Sequence, residues 1–522
     1  MTKLKVLLVT GRLAEDIVKT HTQQITEKEV DIVVLNVPVA AFLTSETILA
    51  GLKNYNLKNI DVILTPGLSR GDTKIITDSL NVPTFKGPRY AADLPVVFEV
   101  LDKVTLSTTI PACDLLRDRL TKNALKEIEK IEQNTEEQLK QPGSMLINNL
   151  AFGKSFPIRV MAEIVDAALM DDKEIQVLAK KFAANGAHII DVGMIAGTSN
   201  PENATRIVKA VKAAVNLPVS IDTLDPEEIK AAISAGADLI LSLDAGNIDQ
   251  LATFATDIPV VAIPTNQHEG YFPKTAQERI QLIEEIITKA KKLGFRKILA
   301  DLILDPLNIL ESFIAFKNFR YRNPDVPLFV GVANVTELFD ADSVGINALL
   351  TCLSTEIDAS IILATEKSPK TKGTIKELAT ATKMMYLAKK RASVPKDLGI
   401  DLLILKDKRS HEEPYNATIE QNTNVIIAPK ELMPPELDRA GMFIISVDRK
   451  NDDITAALFT DTSTNKPINI IKGKNAIDIY SKIIQLGLVT RLDHAAYLGC
   501  ELTKAEIALK TGKNFIQDYA IF

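Results

Sequence analysis

Residues 217–244 read LPVSIDTLDPEEIKAAISAGADLILSLD, and this stretch decides the fold. Val219–Ile221 is a short apolar run that ends at Asp222, and Leu239–Leu243 is a second apolar run. Between the two runs, Glu227–Ser234 carries the spacing of a helix, which the following glycine ends. Two buried strands joined by a helix form a right-handed βαβ unit with parallel strands. Asp222 is therefore predicted to lie at the carboxyl end of its strand.

The same strand-and-helix pattern recurs along about half of the chain. Eight apolar runs lie at Arg159–Ile164, Ala187–Val192, Val219–Ile221, Leu239–Leu243, Pro259–Ile263, Lys297–Asp301, Leu328–Val332 and Ala359–Leu363. Eight repeats in about 250 residues match the size and period of a TIM barrel. A doubly wound sheet is the alternative, but it needs a switch point and usually has fewer strands. We therefore predict an α/β protein whose centre, residues 144–395, is a TIM (β/α)8 barrel.

The flanking regions predict two smaller α/β domains. Residues 1–116 alternate strand and helix patterns and are expected to form a Rossmann-like parallel sheet. Residues 117–143 are highly charged and are expected to form a solvated helical linker. Residues 396–522 are predicted to form a small C-terminal α/β domain, with strands that include Leu402–Leu405 and Val425–Ala428.

Two glycine-containing loops in the first region, Thr65–Gly71 and Lys86–Tyr90, follow predicted strands. Such loops sometimes hold anions, but neither has a GxGxxG pattern, so we interpret them as turns of the chain. In the last region, a single histidine, His494, stands near the start of a predicted helix. We interpret it as a structural residue rather than as a ligand of a metal or a corrinoid.

Composition excludes several classes of protein. The chain has 522 residues, a net charge of −6 and three cysteines. The charge gives no sign of a nucleic-acid-binding surface. Cys113, Cys352 and Cys500 lack the spacing of a metal site, and such a sparse, odd set argues for a reducing compartment. The apolar part of residues 1–9 is too short for a signal peptide and no apolar run reaches membrane-spanning length, so we expect a cytoplasmic protein.

Polar side chains follow nearly every predicted barrel strand, at the end where barrels of this kind build their active sites. They are Glu163, Asp166, Asp191, Asp222, Asp244, Asn266, Asp301, Asp305, Asn334, Glu366 and Lys367. A single Asp or Asn in such a place is often a helix cap, but recurrence on nearly every strand favours a site. The ring holds no constellation of histidines, so neither a histidine metal site nor a Ser–His–Asp triad is expected.

A ring of carboxylates and an amide predicts the kind of ligand. Carboxylates accept paired hydrogen bonds from planar N–H groups, whereas Asn both donates and accepts. This chemistry fits the N–H edge of a pterin, and it also fits a purine or a Mg²⁺ ion held by two or three carboxylates. After the eighth strand, Lys367, Lys370 and Lys372 are typical of a phosphate or diphosphate site, although a solvated basic loop explains them equally well.

Three segments resemble the dihydropteroate synthases. They are GAHIIDVG at Gly186–Gly193, PVSIDT at Pro218–Thr223 and AGADLI at Ala235–Ile240. The same segments are similar to the methyltetrahydrofolate–corrinoid methyltransferases, which share the pterin-binding barrel. The resemblance implies that Asp191 and Asp222 bind a pterin.

The methyltransferase group matches at two further places. GVANVT at Gly331–Thr336 resembles its strand-seven motif, which implies that Asn334 contacts the pterin ring and takes part in catalysis. DLILDPL at Asp301–Leu307 resembles its DPLVLPL stretch, which implies a pterin-binding and catalytic role for Asp301. The pterin site is completed in this interpretation by three further acidic residues, Glu163, Asp166 and Asp305.

Several motifs of these enzymes are absent. The lysine of the synthases' SRKS motif would fall at Val335, and the asparagine of the methyltransferases' INS motif after strand four is replaced around Leu241-Ser242. As a whole, the chain looks most like dihydropteroate synthase-related proteins associated with tetrahydromethanopterin. The resemblance implies a transferase of one-carbon metabolism that joins a pterin-methyl diphosphate to an arylamine. The alternatives are a methyltransferase that uses a methyl-tetrahydropterin donor and a non-catalytic pterin-binding or carrier protein.

The resemblance also implies partners. A reduced pterin of the tetrahydromethanopterin or folate type is the expected small-molecule partner, with Mg²⁺ as a further candidate. A corrinoid or a methyl-acceptor protein joins it under the methyltransferase alternative. We expect a homodimer, and no nucleic-acid or membrane partner.

Overall fold

The computed structural model describes residues 4–23, 25, 27–102, 104–406, 420–421, 423–428, 436–460 and 466–522. The chain divides into two compact units. The first comprises Met1–Glu366 with Thr374–Leu402, and the second comprises Lys367–Gly373 with Leu403–Phe522. Within the described ranges, no helix has both the length and the apolar character needed to cross a membrane.

The first unit begins with a parallel four-stranded sheet in the order β2-β1-β3-β4. Its elements are β1 (Lys5–Gly11), α1 (Glu15–Thr22), β2 (Glu29–Leu35), α2 (Ser45–Leu52), β3 (Val62–Thr65), α3 (Lys74–Leu80), β4 (Thr84–Lys86) and α4 (Leu94–Val100). Side chains alternate between the two faces of a strand. Val6 and Leu8 accordingly pack with α1 and α4, whereas Leu7 and Val9 pack with α2 and α3. This doubly wound arrangement confirms the predicted Rossmann-like region.

Three helices and a hairpin connect this sheet to the barrel. They are α5 (Ala112–Leu115), α6 (Arg117–Gln133), α7 (Thr135–Gln138), β5 (Met145–Ile147) and β6 (Leu150–Phe152). One stripe of α6 is not solvated, because Ala124 and Ile128 are buried in a cluster with the methionines Met384 and Met385. The hairpin places the fully buried Phe152 among side chains that point into the barrel, and it covers the end at which the barrel strands begin.

The centre of the chain confirms the predicted TIM barrel. Eight parallel strands close in the order β10-β11-β12-β13-β14-β7-β8-β9. The strands are β7 (Arg159–Ile164), β8 (Ile189–Gly193), β9 (Val219–Asp222), β10 (Leu239–Leu243), β11 (Val260–Ala262), β12 (Ile298–Ala300), β13 (Leu328–Gly331) and β14 (Ala359–Thr365). The helices are α8 (Asp172–Ala184), α9 (Pro201–Ala214), α10 (Pro226–Ala235), α11 (Ile248–Leu251), α12 (Ala276–Lys292), α13 (Ile309–Arg322), α14 (Ala333–Thr336), α15 (Ser343–Glu356) and α16 (Thr374–Lys390).

The second unit is built on an antiparallel three-stranded sheet. Its elements are β15 (Met442–Asp448), β16 (Asp453–Phe459), β17 (Asn469–Gly473), α17 (Ala476–Gln485) and α18 (Leu492–Thr511). In α18, His494 Nδ1 lies 3.0 Å from Oδ2 of the buried Asp438. The predicted strands at Leu402–Leu405 and Val425–Ala428 are wrong, because the described residues there form no strand. Apart from the partly buried Leu402, they expose their apolar side chains, up to 87% at Ile427.

Candidate functional site

Three acidic residues meet where the neighbouring strands β7, β8 and β9 end. The parallel register sets Glu163 beside Asp191 and Gly193 beside Asp222. One carboxylate oxygen from each of the three acids lies within 4.8 Å of the other two. Gly193 leaves room for the Glu163 carboxylate in this position, because a Cβ there would lie 2.8 Å from Glu163 Oε1. We call Glu163, Asp191 and Asp222 the acidic cluster.

Asp191 is the buried centre of the acidic cluster, with no exposed surface. Its Oδ1 accepts a hydrogen bond of 2.5 Å from Ser220 Oγ. Its Oδ2 is buried and has no hydrogen-bond partner among the residues that the structure describes. Burial raises the pKa of Asp191 well above its usual range, and the neighbouring Asp222 and Glu163 raise it further. A buried acceptor without a donor costs about 1–3 kcal/mol, so this oxygen is a ready contact for a ligand N–H group.

Asp222 ends β9 and is partly exposed, so it faces the open end of the barrel. Removal from water raises its pKa to about 6. Asp191 therefore resists ionisation near neutral pH, whereas Asp222 ionises once the pH rises above about 6. A ligand that brings N–H donors or positive charge would favour the ionised carboxylates.

A pair of polar residues lies on the opposite side of the barrel from the acidic cluster, where β12 and β13 end. Asp301 follows β12, is 8% exposed, and accepts a hydrogen bond of 2.8 Å from the Ile303 N–H. Burial raises the pKa of Asp301 to about 7, although that N–H and the Arg279 guanidinium oppose the rise. Asn334 lies in α14, and its Nδ2 donates to Leu304 O at 3.2 Å. We call Asp301 and Asn334 the polar pair.

A buried arginine that the sequence analysis missed shapes the loop after β12. Arg279 in α12 has no exposed surface. Its guanidinium donates to the Ile303 carbonyl at 2.8 Å, to Ser312 Oγ at 2.9 Å, to the Pro273 carbonyl at 3.3 Å and to Asp305 Oδ2 at 3.3 Å. The hydrogen bonds from Arg279 to Ile303 and Asp305 thus hold the loop that carries Asp301 in place.

Asp305 is engaged within the same loop. Its Oδ1 accepts from the Leu307 N–H at 2.9 Å, and its Oδ2 accepts from Asn308 Nδ2 at 3.0 Å as well as from Arg279. A pterin contact by Asp305 stays a prediction. The same holds for Asp166, which lies two residues beyond β7 in the left-handed conformation, with φ of 51°.

Other polar residues at the strand ends have structural partners. Asp244 accepts four hydrogen bonds from its own and a neighbouring loop, the donors being the N–H groups of Gly246, Asn247 and Gln267 and the Thr265 hydroxyl. Asn266 accepts from the Glu269 N–H, and Glu366 pairs with Lys181 at 2.7 Å. Lys367, Lys370 and Lys372 follow β14 directly in the sequence but belong to the second compact unit, and their phosphate role stays a prediction.

Comparisons with known proteins match three segments of the chain to protein families. The family described as "Pterin binding enzyme" matches residues 163–342. A family of unknown function, DUF6513, matches residues 4–89, and the family PterinBD-DUF4346 matches residues 437–518. The chain is 42% identical over 533 residues to the uncharacterised protein MJ0107 of Methanocaldococcus jannaschii, and the match covers 99% of each chain. The chain belongs to that protein's family. Its barrel is the pterin-binding barrel of the dihydropteroate synthase superfamily.

Similarity to three dihydropteroate synthases covers less than half of this chain. A dihydropteroate synthase of Streptococcus pyogenes is 34% identical over 103 residues, which are 17% of this chain and 39% of that synthase. The solved dihydropteroate synthase of Xanthomonas albilineans is 18% identical with a TM-score of 0.38, and it covers 46% of this chain and 96% of its own. The dihydropteroate synthase of Yersinia pestis is 17% identical with a TM-score of 0.39, and the match covers 47% of this chain and 99% of that synthase.

Proposed function

We propose that the acidic cluster binds the N–H edge of a reduced pterin of the tetrahydromethanopterin or folate type. The observation that carries this proposal is the buried Asp191 Oδ2, which has no donor among the described residues and lies beside two more carboxylates. A pterin presents a ring N–H beside an exocyclic amino group. These donors would satisfy Asp191 and Asp222 together, and charge-assisted hydrogen bonds of this kind are the stronger ones.

We infer further that the protein is a transferase acting on the bound pterin, with synthase chemistry as the leading reaction. The arylamine nitrogen attacks the exocyclic methylene carbon, the carbon–oxygen bond breaks, and diphosphate leaves with the bonding electrons. The new C–N bond leaves a proton on nitrogen that a base must accept. Asp301 supports this assignment because its pKa of about 7 lets it accept a proton at neutral pH.

Methyl transfer is the second candidate, and the polar pair is the observation that favours it. In this reaction the methyl group leaves N5 of the pterin for an acceptor, and N5 keeps the bonding electrons and gains a proton. Protonated Asp301 would supply that proton, while Asn334 would hydrogen-bond the same nitrogen as charge develops. A carrier protein would use the acidic cluster for binding and would show no turnover.

The acidic cluster also fits a divalent cation, because three carboxylate oxygens within 4.8 Å are the ligands that Mg²⁺ prefers. Glu163, Asp191 and Asp222 would hold the ion, whose chemistry is to neutralise phosphate oxygens. Pterin binding and Mg²⁺ binding therefore need separate measurements.

Calorimetry with tetrahydrofolate and tetrahydromethanopterin, each with and without Mg²⁺, tests the binding proposal. Asp191→Asn should weaken pterin binding at least tenfold, since a hydrogen bond to a charged group is worth about 1.5–3 kcal/mol. Asp238→Asn is the matched control, because Asp238 stands at the amino end of β10, where it accepts from the Val219 N–H and Lys212. Equal pterin affinity in wild type and Asp191→Asn would overturn the proposal. Mg²⁺ binding without pterin binding would make the cluster a metal site instead.

A further inference from the structure

A cavity of about 190 Å³ lies in the N-terminal sheet, outside the carboxyl ends of β1 and β3. In the strand order β2-β1-β3-β4, the chain leaves β1 toward one edge of the sheet and leaves β3 toward the other. The helix after β1 packs on one face and the helix after β3 on the opposite face. Such a switch point is where open α/β sheets bind their ligands.

The loops after β3 and β4 approach each other backbone to backbone beside this cavity. A Cβ on Gly67 would lie 2.6 Å from Gly87 O, and a Cβ on Gly87 would lie 2.8 Å from Thr65 O. Both loops line the cavity, through Pro66 on one side and Pro88 on the other. The two glycines are thus needed for the shape of the crevice as well as for turning the chain.

The walls of the cavity are mainly apolar, with hydroxyl groups among them. Ile17 and Val18 of α1 and Leu94 of α4 line it. Ser393, which follows α16, also lines it, and its buried Oγ has no hydrogen-bond partner among the described residues. An apolar enclosure with an unsatisfied hydroxyl is the usual composition of a small-molecule site, in which few polar groups set the orientation.

The charges at the cavity disfavour an anionic ligand. Arg89 lines the cavity, but its guanidinium is engaged by Asp114 through two hydrogen bonds of 3.0 and 2.8 Å, and Asp397 lies 4.0 Å away. The loop after β1, from Arg12 to Ala14, lacks the glycines that cradle a phosphate. Nucleotides and other phosphates therefore fit this cavity poorly.

We propose that this cavity is a second ligand site, distinct from the pterin site, for an uncharged molecule of one or two fused rings that carries a hydroxyl or amino group. Its apolar walls accept the rings, and the Ser393 hydroxyl, turned toward the cavity by rotation about χ1, bonds the polar group. The volume lies below the roughly 300–1,000 Å³ of sites for drug-sized ligands, which sets the size limit.

Calorimetry on the full chain with 2-naphthol as the probe tests the proposal, with 2-naphthyl phosphate as its charged analogue. We expect wild-type protein to bind 2-naphthol and not the phosphate. Ala91→Phe adds a ring in the cavity lining and should abolish binding. Ser393→Ala should weaken binding about three- to tenfold, the loss expected for one neutral hydrogen bond.

Ser354→Ala is the matched control, because Ser354 Oγ in α15 is likewise buried without a partner among the described residues but does not line the cavity. Its affinity for 2-naphthol should equal that of wild type. The proposal is overturned by absence of 2-naphthol binding, by tighter binding of the phosphate, or by equal affinities in wild type and Ser393→Ala. The last comparison stands even if Ala91→Phe fails to fold. None of these results depends on whether the barrel binds a pterin.

Discussion

Asp301 and Asn334 both approach Gly331: a Cβ at that glycine would lie 4.0 Å from Asp301 Oδ2 and 3.7 Å from Asn334 Nδ2. A buried acid that titrates near neutral pH thus stands beside an amide that can donate. The absence of a side chain at Gly331 leaves this space for a ligand. In the proposed synthase reaction Asp301 accepts a proton, whereas in the proposed methyl transfer it donates one. The pH dependence of turnover therefore distinguishes the two reactions.

The first prediction concerns the pH dependence of turnover. Because the pKa of Asp301 is about 7, a synthase that needs the deprotonated carboxylate should become faster as pH rises through that value. A methyltransferase that needs the protonated acid should become slower over the same interval. Single-turnover rates with each substrate pair give the profile, and Asp301→Asn should remove the inflection near pH 7. An unchanged inflection in Asp301→Asn would assign it to another group.

The second prediction concerns Asn334→Ala. If Asn334 stabilises charge at N5 during methyl transfer, the substitution should lower the rate about 10- to 1000-fold while weakening pterin binding much less. In a synthase, bond breaking occurs at the exocyclic methylene, so the loss should appear chiefly as weaker binding. Pterin affinity and single-turnover rate are measured for both proteins. Methyl transfer that is equally fast in the variant would exclude the methyltransferase role of Asn334.

The third prediction concerns stability and pH. The pKa of Asp301 rises from an ordinary value near 4 to about 7 on folding, so the folded protein holds a proton that the unfolded chain releases. The free energy of unfolding should therefore fall as pH rises from about 4 to 7. The Asp301→Asn variant has no carboxyl proton to release, so its free energy of unfolding should not fall in this way. It should be more stable than wild type by about 2–4 kcal/mol at pH 8, with a smaller difference at pH 5. Urea denaturation at both values measures it.

Asp305→Asn provides a control of opposite sign for that experiment. Hydrogen bonds, first of all from Asn308, lower the pKa of Asp305, so its carboxylate stabilises the fold above its ordinary pKa and loses that contribution in acid. Asp305→Asn should therefore be less stable than wild type at pH 8. Lower stability of Asp301→Asn than of wild type at pH 8 would contradict the assigned burial of Asp301.

The fourth prediction concerns Arg279→Met. Removing a fully buried guanidinium takes a donor from the Ile303 carbonyl and one of three donors from the Asp305 carboxylate, so the free energy of unfolding should fall by about 1–3 kcal/mol. The loop that carries Asp301 should also lose its fixed position, which would lower turnover beyond the loss of stability. Chemical denaturation and single-turnover rates at a temperature where the variant is folded measure both effects. Arg322→Met is the control, because the Arg322 side chain is about half exposed and pairs with Glu284 at the surface.

Much of the barrel can be predicted from the sequence, because parallel strands buried on both faces appear as uninterrupted apolar runs. The acidic cluster follows from the same reasoning, since Glu163, Asp191 and Asp222 end or nearly end three consecutive strands. Apolar runs alone are not sufficient, however. Leu402–Leu405 and Val425–Ala428 have the composition of strands, but among the described residues no neighbouring strand pairs with them.

The remaining features depend on tertiary contacts that leave no local pattern. Arg279 stands in an ordinary amphipathic helix, where a lone arginine indicates a solvated position. Its four acceptors come from three separate segments, which only the folded chain brings together. The charged helix α6 looks like a linker because few of its residues are apolar, yet Ala124 and Ile128 suffice to pack it against its neighbours. The pKa of Asp301 likewise arises from burial, which its sequence neighbours do not determine.

The hairpin β5–β6 fills one end of the barrel with Phe152, which has no exposed surface. Side-chain packing therefore closes the end of the barrel at which the strands begin. Under the proposed pterin binding, both substrates would approach from the carboxyl ends of the strands, the end that carries the acidic cluster and the polar pair.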